Sequence, residues 1–218
     1  MTGIWGEIPR AIAYVGPMKT LRLLFAPLFL VLALTPARAA EELSLDDISR
    51  YLNDLRKVQA DFTQINADGS ISTGRIFISR PGKARFEYNP PNEALVIAGG
   101  QQLAIFDPKS NDGPTQYPLK RTPLKLILAR NIDLGRERMV IAREFDGIST
   151  TITAQDPDNP EYGSITMTFT DNPVELRQWV ITDDVGDQTT VILGVLEQAP
   201  DLPLELFNIN REIDRRMR

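Results

Sequence analysis

The spacing of hydrophobic and polar residues changes once along the chain, near residue 58. Before that point, the segment 44–58, "SLDDISRYLNDLRKV", has apolar residues every three or four positions, a spacing typical of an amphipathic helix. These residues are Leu45, Ile48, Leu52 and Leu55, with Val58 next in the series. Ser44 is a candidate N-cap, with Asp47 three residues later. The segment predicts a helix with one apolar stripe, which must lie on an apolar surface.

From residue 58 onward, short segments with a period of two are separated by turn residues such as Asp68-Gly69, Pro81-Gly82 and Gly99-Gly100. The predicted strands are 58–66, 71–79, 84–90, 93–98, 102–107, 114–119, 138–144, 148–155, 164–170, 174–182 and 188–197. Short strands in succession favour an antiparallel meander over βαβ units. A sheet with this many strands is expected to curl toward a barrel or half-barrel.

One segment interrupts the strands. In "KRTPLKLILARNIDL", Thr122 is expected to cap a short helix, Pro123 suits its first position, and Leu124, Ile127 and Leu128 form its apolar face. Two amphipathic helices and one apolar sheet face predict a mainly β, α+β domain. Its curved, unclosed antiparallel sheet carries the helices across the concave side. The interior is either a solid core or a cavity, and periodicity does not separate these two alternatives.

Several strands show which residues share a face. Ile165, Met167 and Phe169 alternate with threonines, and Phe86 and Tyr88 alternate with Arg85 and Glu87. Side chains two apart in a strand point to the same side of the sheet. Each apolar set is therefore expected to line the interior.

The N-terminal region has the pattern of a secretory signal peptide. A twelve-residue apolar run, 23–34, follows Lys19 and Arg22 and precedes Ala37-Arg38-Ala39. The run is shorter than the roughly 20 residues of a typical membrane span, although a retained anchor is the alternative. We predict a start at Met18 and cleavage after Ala39. Residues 1–39 are then an extension and signal peptide, and 40–218 form a single domain.

Charge and composition exclude several functions. The 218-residue chain has a net charge of −5 and contains neither Cys nor His. Residues 1–39 hold four basic residues and one acidic residue, so 40–218 carry 20 basic and 28 acidic residues, a balance of −8. Such a surface repels nucleic acid and anionic lipid. The basic end, 211–218, is expected to be a frayed tail.

The sequence predicts no enzyme activity, metal or cofactor. Without His and Cys, the commonest general base and the thiolate nucleophile are both missing. The carboxylate pairs Asp46/Asp47 and Asp183/Asp184 are interpreted as a helix N-terminus and a turn. The segment 156–163, "DPDNPEYG", departs from a calcium loop because Glu161 stands where that loop needs glycine. A hydrolase based on carboxylates would need a clustered acid pair.

The hairpin "SRPGKARFEYNPP" (79–91) carries three cations, of which Arg80 is distinctive. Arg80 ends a strand with Ile76 and Ile78 on the same face, and Pro81-Gly82 suits a type II turn. Its five donors can reach backbone carbonyls from the rim of the apolar face. A solvated rim arginine is the alternative. Lys83 and Arg85 are interpreted as ordinary solvent-exposed hairpin residues.

Four segments in order resemble the LolA family of periplasmic outer-membrane lipoprotein carriers. They are "VQADFTQ" (58–64), "GRIFISRPGKARFEYNPP" (74–91), "ALVIAGGQQLAIFDP" (94–108) and "TPLKLILARN" (122–131). The resemblance implies an unclosed eleven-stranded barrel whose mouth is covered by helices. It implies a monomeric periplasmic carrier of acylated lipoproteins. Its partners would be an inner-membrane lipoprotein-releasing ABC exporter and an outer-membrane lipoprotein receptor. Because that receptor is itself a lipoprotein, a chain without Cys is not the receptor.

The resemblance also assigns roles to single residues. Arg80 matches an arginine that bonds the covering helices and holds the empty cavity shut. Phe86 matches a cavity wall residue, while Leu124 and Leu128 lie in the covering segment. The interior sets Tyr88, Ile165, Met167 and Phe169 complete the candidate acyl-binding site. Ala84 departs from the family, which often has Phe there. The alternative function is a related half-barrel module that binds another lipid or senses the envelope.

Overall fold

The structure is a computed structural model that describes residues 40–110, 113–135 and 138–217. The predicted extension and signal peptide lie outside the described residues and stay predictions. Among the described helices, none is long and apolar enough to cross a membrane.

Helix α1 (Leu45–Asp54) begins as the sequence predicts. The Asp47 amide donates to Ser44 Oγ at 3.1 Å, and Ser44 Oγ donates to Asp47 Oδ2 at 2.6 Å. The helix buries Ile48 and Leu52. It is shorter than predicted, because Val58 already belongs to the first strand.

Twelve strands form one antiparallel sheet. They are β1 (Lys57–Ile65), β2 (Ile71–Ser79), β3 (Ala84–Tyr88), β4 (Leu95–Gly99), β5 (Gln102–Phe106), β6 (Thr115–Pro118), β7 (Val140–Phe145), β8 (Ser149–Gln155), β9 (Ser164–Thr170), β10 (Glu175–Thr182), β11 (Gln188–Leu193) and β12 (Glu197–Gln198). The order is β6-β5-β4-β3-β2-β1-β11-β10-β9-β8-β7, and β12 pairs with β1. In the described residues β6 and β7 are the two edges, so the sheet is unclosed. The predicted fold class is confirmed.

The last predicted strand is divided in two. The Gly194 amide donates to the Asp61 carbonyl at 2.8 Å, where regular pairing between β1 and β11 stops. The chain then pairs again as β12 beside the start of β1.

The segment that links the two sheet edges contains a 3-10 turn (Leu119–Arg121) and helix α2 (Leu124–Leu128). The predicted cap at Thr122 is wrong. Its hydroxyl donates back to the Leu119 carbonyl at 2.9 Å, and Pro123 occupies the N-cap position. The helix itself lies where the sequence predicts.

Both helices pack on the same face of the sheet, here called the inner face. Ile48 of α1 and Leu128 of α2 join one buried apolar cluster with strand residues such as Ile76 and Met167. Gly74 makes room in this cluster, because a Cβ there would lie 2.8 Å from the Phe62 ring and 2.1 Å from the Glu87 carbonyl oxygen. The packing of helices onto the sheet corresponds to the solid-core alternative.

Helix α3 (Ile209–Arg216) was not predicted, and the expected frayed tail at 211–218 is wrong up to Arg216. Ile209 packs on Ile97 and Phe106, which lie on the outer face of the sheet. Arg85 is buried beneath this end of the chain and is not an exposed hairpin residue.

The contacts of Arg85 explain that correction. Its Nε donates to Glu87 Oε1 at 2.6 Å, and its Nη1 donates to the Leu206 carbonyl at 3.0 Å. Glu212 of α3 brings a second carboxylate within 3.7 Å of Nη1. Strand alternation placed Arg85 on the outer face correctly, but α3 covers that face.

Candidate functional site

The corner between β2 and β3 lies against both helical segments. The Arg80 amide donates to the Arg56 carbonyl, just after α1, at 2.8 Å. The Gly82 amide donates to the Leu128 carbonyl of α2, also at 2.8 Å. Gly82 has φ +72°, the sign that the third residue of a type II turn requires. The backbone of this corner therefore bonds both covering elements.

The Arg80 side chain strengthens the same junction. Nε and Nη2 donate to the Ala129 carbonyl at 3.1 and 2.6 Å, Nη1 donates to the Leu52 carbonyl, and Nη2 donates to Asn53 Oδ1 at 3.2 Å. Burial, followed by the nearby charge of Arg56, lowers the pKa of Arg80 below its usual value. We call this set of bonds the Arg80 latch. It joins the end of α1 to the residue that follows α2.

Asn53 completes the junction between the two covering elements. Its Nδ2 donates to the Ile132 carbonyl at 2.8 Å, and its Oδ1 accepts from the Ile132 amide at 3.0 Å. One turn earlier, Ser49 Oγ accepts from the Leu134 amide at 3.0 Å. Sequence reasoning missed both residues, because nothing in a helical pattern marks which polar side chains meet a distant backbone.

The structure brings the seven apolar candidates into or against one cluster on the inner face, with Arg80 at its edge. Phe86, Leu128, Ile165, Met167 and Phe169 are buried, and Tyr88 and Leu124 are partly buried against them. Every one of these candidates therefore lies on the side that the helices cover.

On the strands, two further aromatic residues belong to this interior, and sequence reasoning did not single them out. Phe62 lies edge-on to Tyr88 and Phe86, with ring centroids 5.2 and 5.7 Å apart. Trp179, 1% exposed, is 6.4 Å from Phe86. Regular alternation from Leu176 would place Trp179 on the other face, but a β-bulge between Leu176 and Gln178 brings Trp179 opposite Met167 across β9 and β10. Residues opposite each other on neighbouring strands share a face.

Tyr88 is the polar member of the aromatic group. Its hydroxyl donates to Gln64 Oε1 at 2.7 Å. Burial raises the pKa of Tyr88 to about 12, so the phenol is neutral at physiological pH. The interior thus gains an aromatic surface without a charge.

The far side of α2 is held by charged contacts. Lys125 pairs with Asp156, and Arg121 lies 5.7 Å from the Tyr162 ring centroid. Burial acts to raise the pKa of Asp156, but bonds from Lys125 and Asn159 outweigh it, so the net pKa is lowered. Segment 156–163 contains a 3-10 turn (Pro160–Tyr162), and its contacts anchor the covering segment that includes α2.

A cleft of about 450 Å³ opens beside the Arg80 latch. Pro81 and Gly82 line it from the hairpin, and Leu119, Lys125 and Leu128 line it from the covering segment. The cleft leads from solvent to the junction of the hairpin and α2.

The predicted acidic pairs serve local structure. Asp46 and Asp47 lie in the first turn of α1, and Asp183 Oδ1 accepts from the Val185 and Asp187 amides at 3.0 and 2.9 Å. Within the described ranges, no group of three acidic residues could hold a metal ion.

The fold and site define an unclosed antiparallel half-barrel whose apolar inner face is covered by helices that an arginine holds in place. The family model described as outer membrane lipoprotein carrier protein LolA matches residues 53–210. The chain belongs to the LolA family.

Two relatives found by sequence agree with the family assignment. An outer-membrane lipoprotein carrier protein of Azotobacter vinelandii is 24% identical over 81% of this chain and 87% of its own length. A protein of the same description from Dechloromonas aromatica is 26% identical, over 75% of this chain and 82% of its own. A solved LolA superfamily protein from Nitrosomonas europaea covers 76% of this chain and 98% of its own at 10% identity, with a TM-score of 0.42.

Proposed function

We propose that this protein is a monomeric periplasmic carrier that binds the acyl chains of lipoproteins released from the inner membrane and delivers them to an outer-membrane receptor. The observation that carries the proposal is the inner face itself. Its buried aromatic and aliphatic residues, with Phe86, Met167 and Phe169 among them, are closed off by two helices held through hydrogen bonds. These hydrogen bonds can break without a covalent change. When they break, the helices can move away and expose the apolar inner face.

Acyl chains need such a surface to cross water. Three chains of about fifteen carbons, at roughly 0.8 kcal/mol per methylene, would cost on the order of 35 kcal/mol to expose. A carrier must offset most of that cost and still release its cargo. In the described structure α1 and α2 cover the apolar surface that acyl chains would contact. The helices and the cargo therefore compete for one surface.

The Arg80 latch sets the strength of this competition. A ligand shifts a conformational equilibrium only by its different affinity for the two states. Acyl binding must therefore supply the free energy that separates Arg80 from the Ala129 and Leu52 carbonyls. Closing of the latch returns that free energy when cargo leaves. In this proposal, acyl chains enter at the cleft between Pro81 and Leu128 and first separate the β2–β3 hairpin from α2 there.

The direct test uses inner-membrane vesicles that carry radiolabelled lipoproteins and the lipoprotein-releasing ABC exporter. Purified residues 40–218 with ATP are expected to release lipoproteins as a soluble complex. Vesicles without the protein, and vesicles without ATP, serve as controls. Lipoproteins that stay on the vesicles under all conditions contradict lipoprotein carriage.

The nature of the cargo is tested separately. Native mass spectrometry of protein isolated from the periplasm is expected to show the mass of an acylated lipoprotein. A glycolipid or free lipid in its place would identify the alternative function, a half-barrel module for another lipid.

A further inference from the structure

The N-terminal end of α1 is also fixed to the inner face. The Leu43 amide, two residues before α1, donates to Thr150 Oγ1 at 2.9 Å. Thr150 lies on β8 and is 1% exposed. A buried hydroxyl without a partner would cost free energy, so this contact stabilises the closed position of α1 specifically.

Arg143 makes the second contact at this end. Its Nη2 donates to the Leu43 carbonyl at 2.7 Å, and its Nε lies 2.9 Å from Glu42 Oε1. Arg143 pairs directly with Ile152, which is fully buried. Because directly paired residues share a face, Arg143 starts from the inner face of β7 and reaches the segment that leads into α1.

Arg80 and Arg143 therefore bond opposite ends of α1. Arg80 directly follows β2, and Arg143 lies on β7, six positions from β2 in the order of the sheet. Between them, α1 is about 15 Å long, at 1.5 Å per residue, and it crosses the inner face. Its centre is also tied to the sheet, since Tyr51 Oη accepts from the Leu176 amide at 3.0 Å.

The two ends of α1 differ in freedom. At the C-terminal end only Leu55 and Arg56 separate α1 from β1, and the Arg56 carbonyl accepts from the Arg80 amide. That end stays beside the sheet whatever else moves. At the N-terminal end, the described residues 40–44 that precede α1 belong to no strand, so this end lacks a comparable tie and is the one that can swing away.

We propose that Arg143 is a second latch, which holds the free end of α1 against β7 and β8 and must release for the inner face to open fully. Arg143 is a positioning residue that acts through the Leu43 carbonyl and Glu42. The purpose of this opening rests on the proposed carrier function. The existence of the second latch does not depend on that function.

Hydrogen exchange measured by mass spectrometry tests the latch without any cargo. In Arg143→Met, amide exchange of residues 43–49 is expected to rise about tenfold, the factor for about 1.4 kcal/mol. Amides of β1 and β2 are expected to stay unchanged. Arg143→Lys, which keeps a cation able to reach the carbonyl, should recover most of the protection.

Arg75→Met is the matched control, since Arg75 also lies within a strand and pairs with a carboxylate, Asp61, at 3.4 Å. It is expected to leave residues 43–49 protected. Unchanged exchange there in Arg143→Met, or an equal rise throughout the strands, would overturn the second latch. If Arg143→Met does not fold, Glu42→Gln is measured instead and must show a smaller rise confined to the same residues. The absence of such a rise would overturn the proposal.

A pyrene-labelled fatty acid tests whether both latches act on one opening. The double variant Arg80→Leu/Arg143→Met is expected to bind this probe about tenfold more tightly than Arg80→Leu alone. Equal affinities would overturn the shared opening. Neither of these assays contains lipoprotein. If exchange rises locally in Arg143→Met but lipoproteins are not released from vesicles, the carrier function is contradicted and the second latch is still supported.

Discussion

Replacement of Arg80 with leucine removes the four hydrogen bonds of the Arg80 latch and keeps an apolar side chain at the rim of the inner face. The Ala129 and Leu52 carbonyls then lose their guanidinium donor. The backbone bonds of this corner, from Arg80 and Gly82, are independent of the side chain. The substitution therefore weakens the closed position of the helices without removing it.

The magnitude follows from the number and setting of these bonds. A hydrogen bond to a charged group contributes about 1.5–3 kcal/mol. The Arg80 side chain is only half buried, so water replaces part of each bond, and we take about 2–3 kcal/mol for the whole set. At about 1.36 kcal/mol per factor of ten, the ratio of closed to open protein falls about 30- to 160-fold.

The assay measures binding and transfer separately. Fluorescence titration with a pyrene-labelled fatty acid should give a Kd for Arg80→Leu that is lower than in the original protein, by up to the factor above. Transfer of bound lipoprotein to the outer-membrane receptor should be slower. Arg80→Lys should lie between the two proteins, since one ammonium cannot reproduce the fork of a guanidinium.

Arg75→Leu, on β2 just before Arg80, controls for loss of an arginine, and thermal unfolding reports any loss of fold. An unchanged Kd together with unchanged transfer by Arg80→Leu refutes the latch. A weaker affinity for the probe would also refute the reasoning, because it would mean that Arg80 helps to hold acyl chains.

Two further predictions concern stability. Ser44→Ala should lower the free energy of unfolding by about 1 kcal/mol in urea titrations, while Ser44→Thr, whose hydroxyl can still accept from the Asp47 amide and donate to the Asp47 carboxylate, should not. Glu212 is the second group: burial acts to raise its pKa, but bonds from Arg215 and the next arginine, together with the charge of Arg85, lower the net value. The stability it contributes is therefore complete above its unfolded pKa of 4.5 and is lost as the pH falls through the lower folded pKa. Glu212→Gln should remove this part of the acid dependence in urea titrations repeated from pH 6 to pH 3, and an unaltered acid limb would contradict the ion-pair network.

The strands were predictable because the chain marks their ends with strong local signals. Turn pairs such as Gly99-Gly100 fix where one strand stops and the next begins, and no distant contact is needed to interpret them. The place of Arg80 at the rim followed from strand alternation with Ile78 and from Pro81. The hydrogen-bond partners of Arg80 could not be predicted in this way. The Ala129 carbonyl is 49 residues away in sequence, and only the folded arrangement of the chain brings it next to Arg80.

One missed element caused two wrong predictions. Helix α3 has a weak pattern, since Ile209 and Ile213 alone form its apolar side among many charged residues. Asn208, whose side chain accepts from the Arg211 amide at 3.0 Å, was the available signal for its start. Without α3 the chain end is interpreted as frayed, and Arg85 as exposed. A buried arginine cannot be recognised until the element that covers it is known.

The choice of partners for Arg80 matters for how the carrier could work. In the described part of the chain, all four hydrogen bonds of its guanidinium end on uncharged oxygens, those of Ala129, Leu52 and Asn53. A carboxylate partner would make the junction stronger and would tie its strength to pH. Carbonyl and amide oxygens do not titrate near neutrality, so protonation of its partners does not change the strength of the Arg80 latch in that pH range. Arg143 differs, because Glu42 adds a charge to its contact with the Leu43 carbonyl. The N-terminal end of α1 thus carries the ion pair, and the end that is tied to β1 carries the neutral contacts. This is the distribution expected if the N-terminal end needs the additional hold.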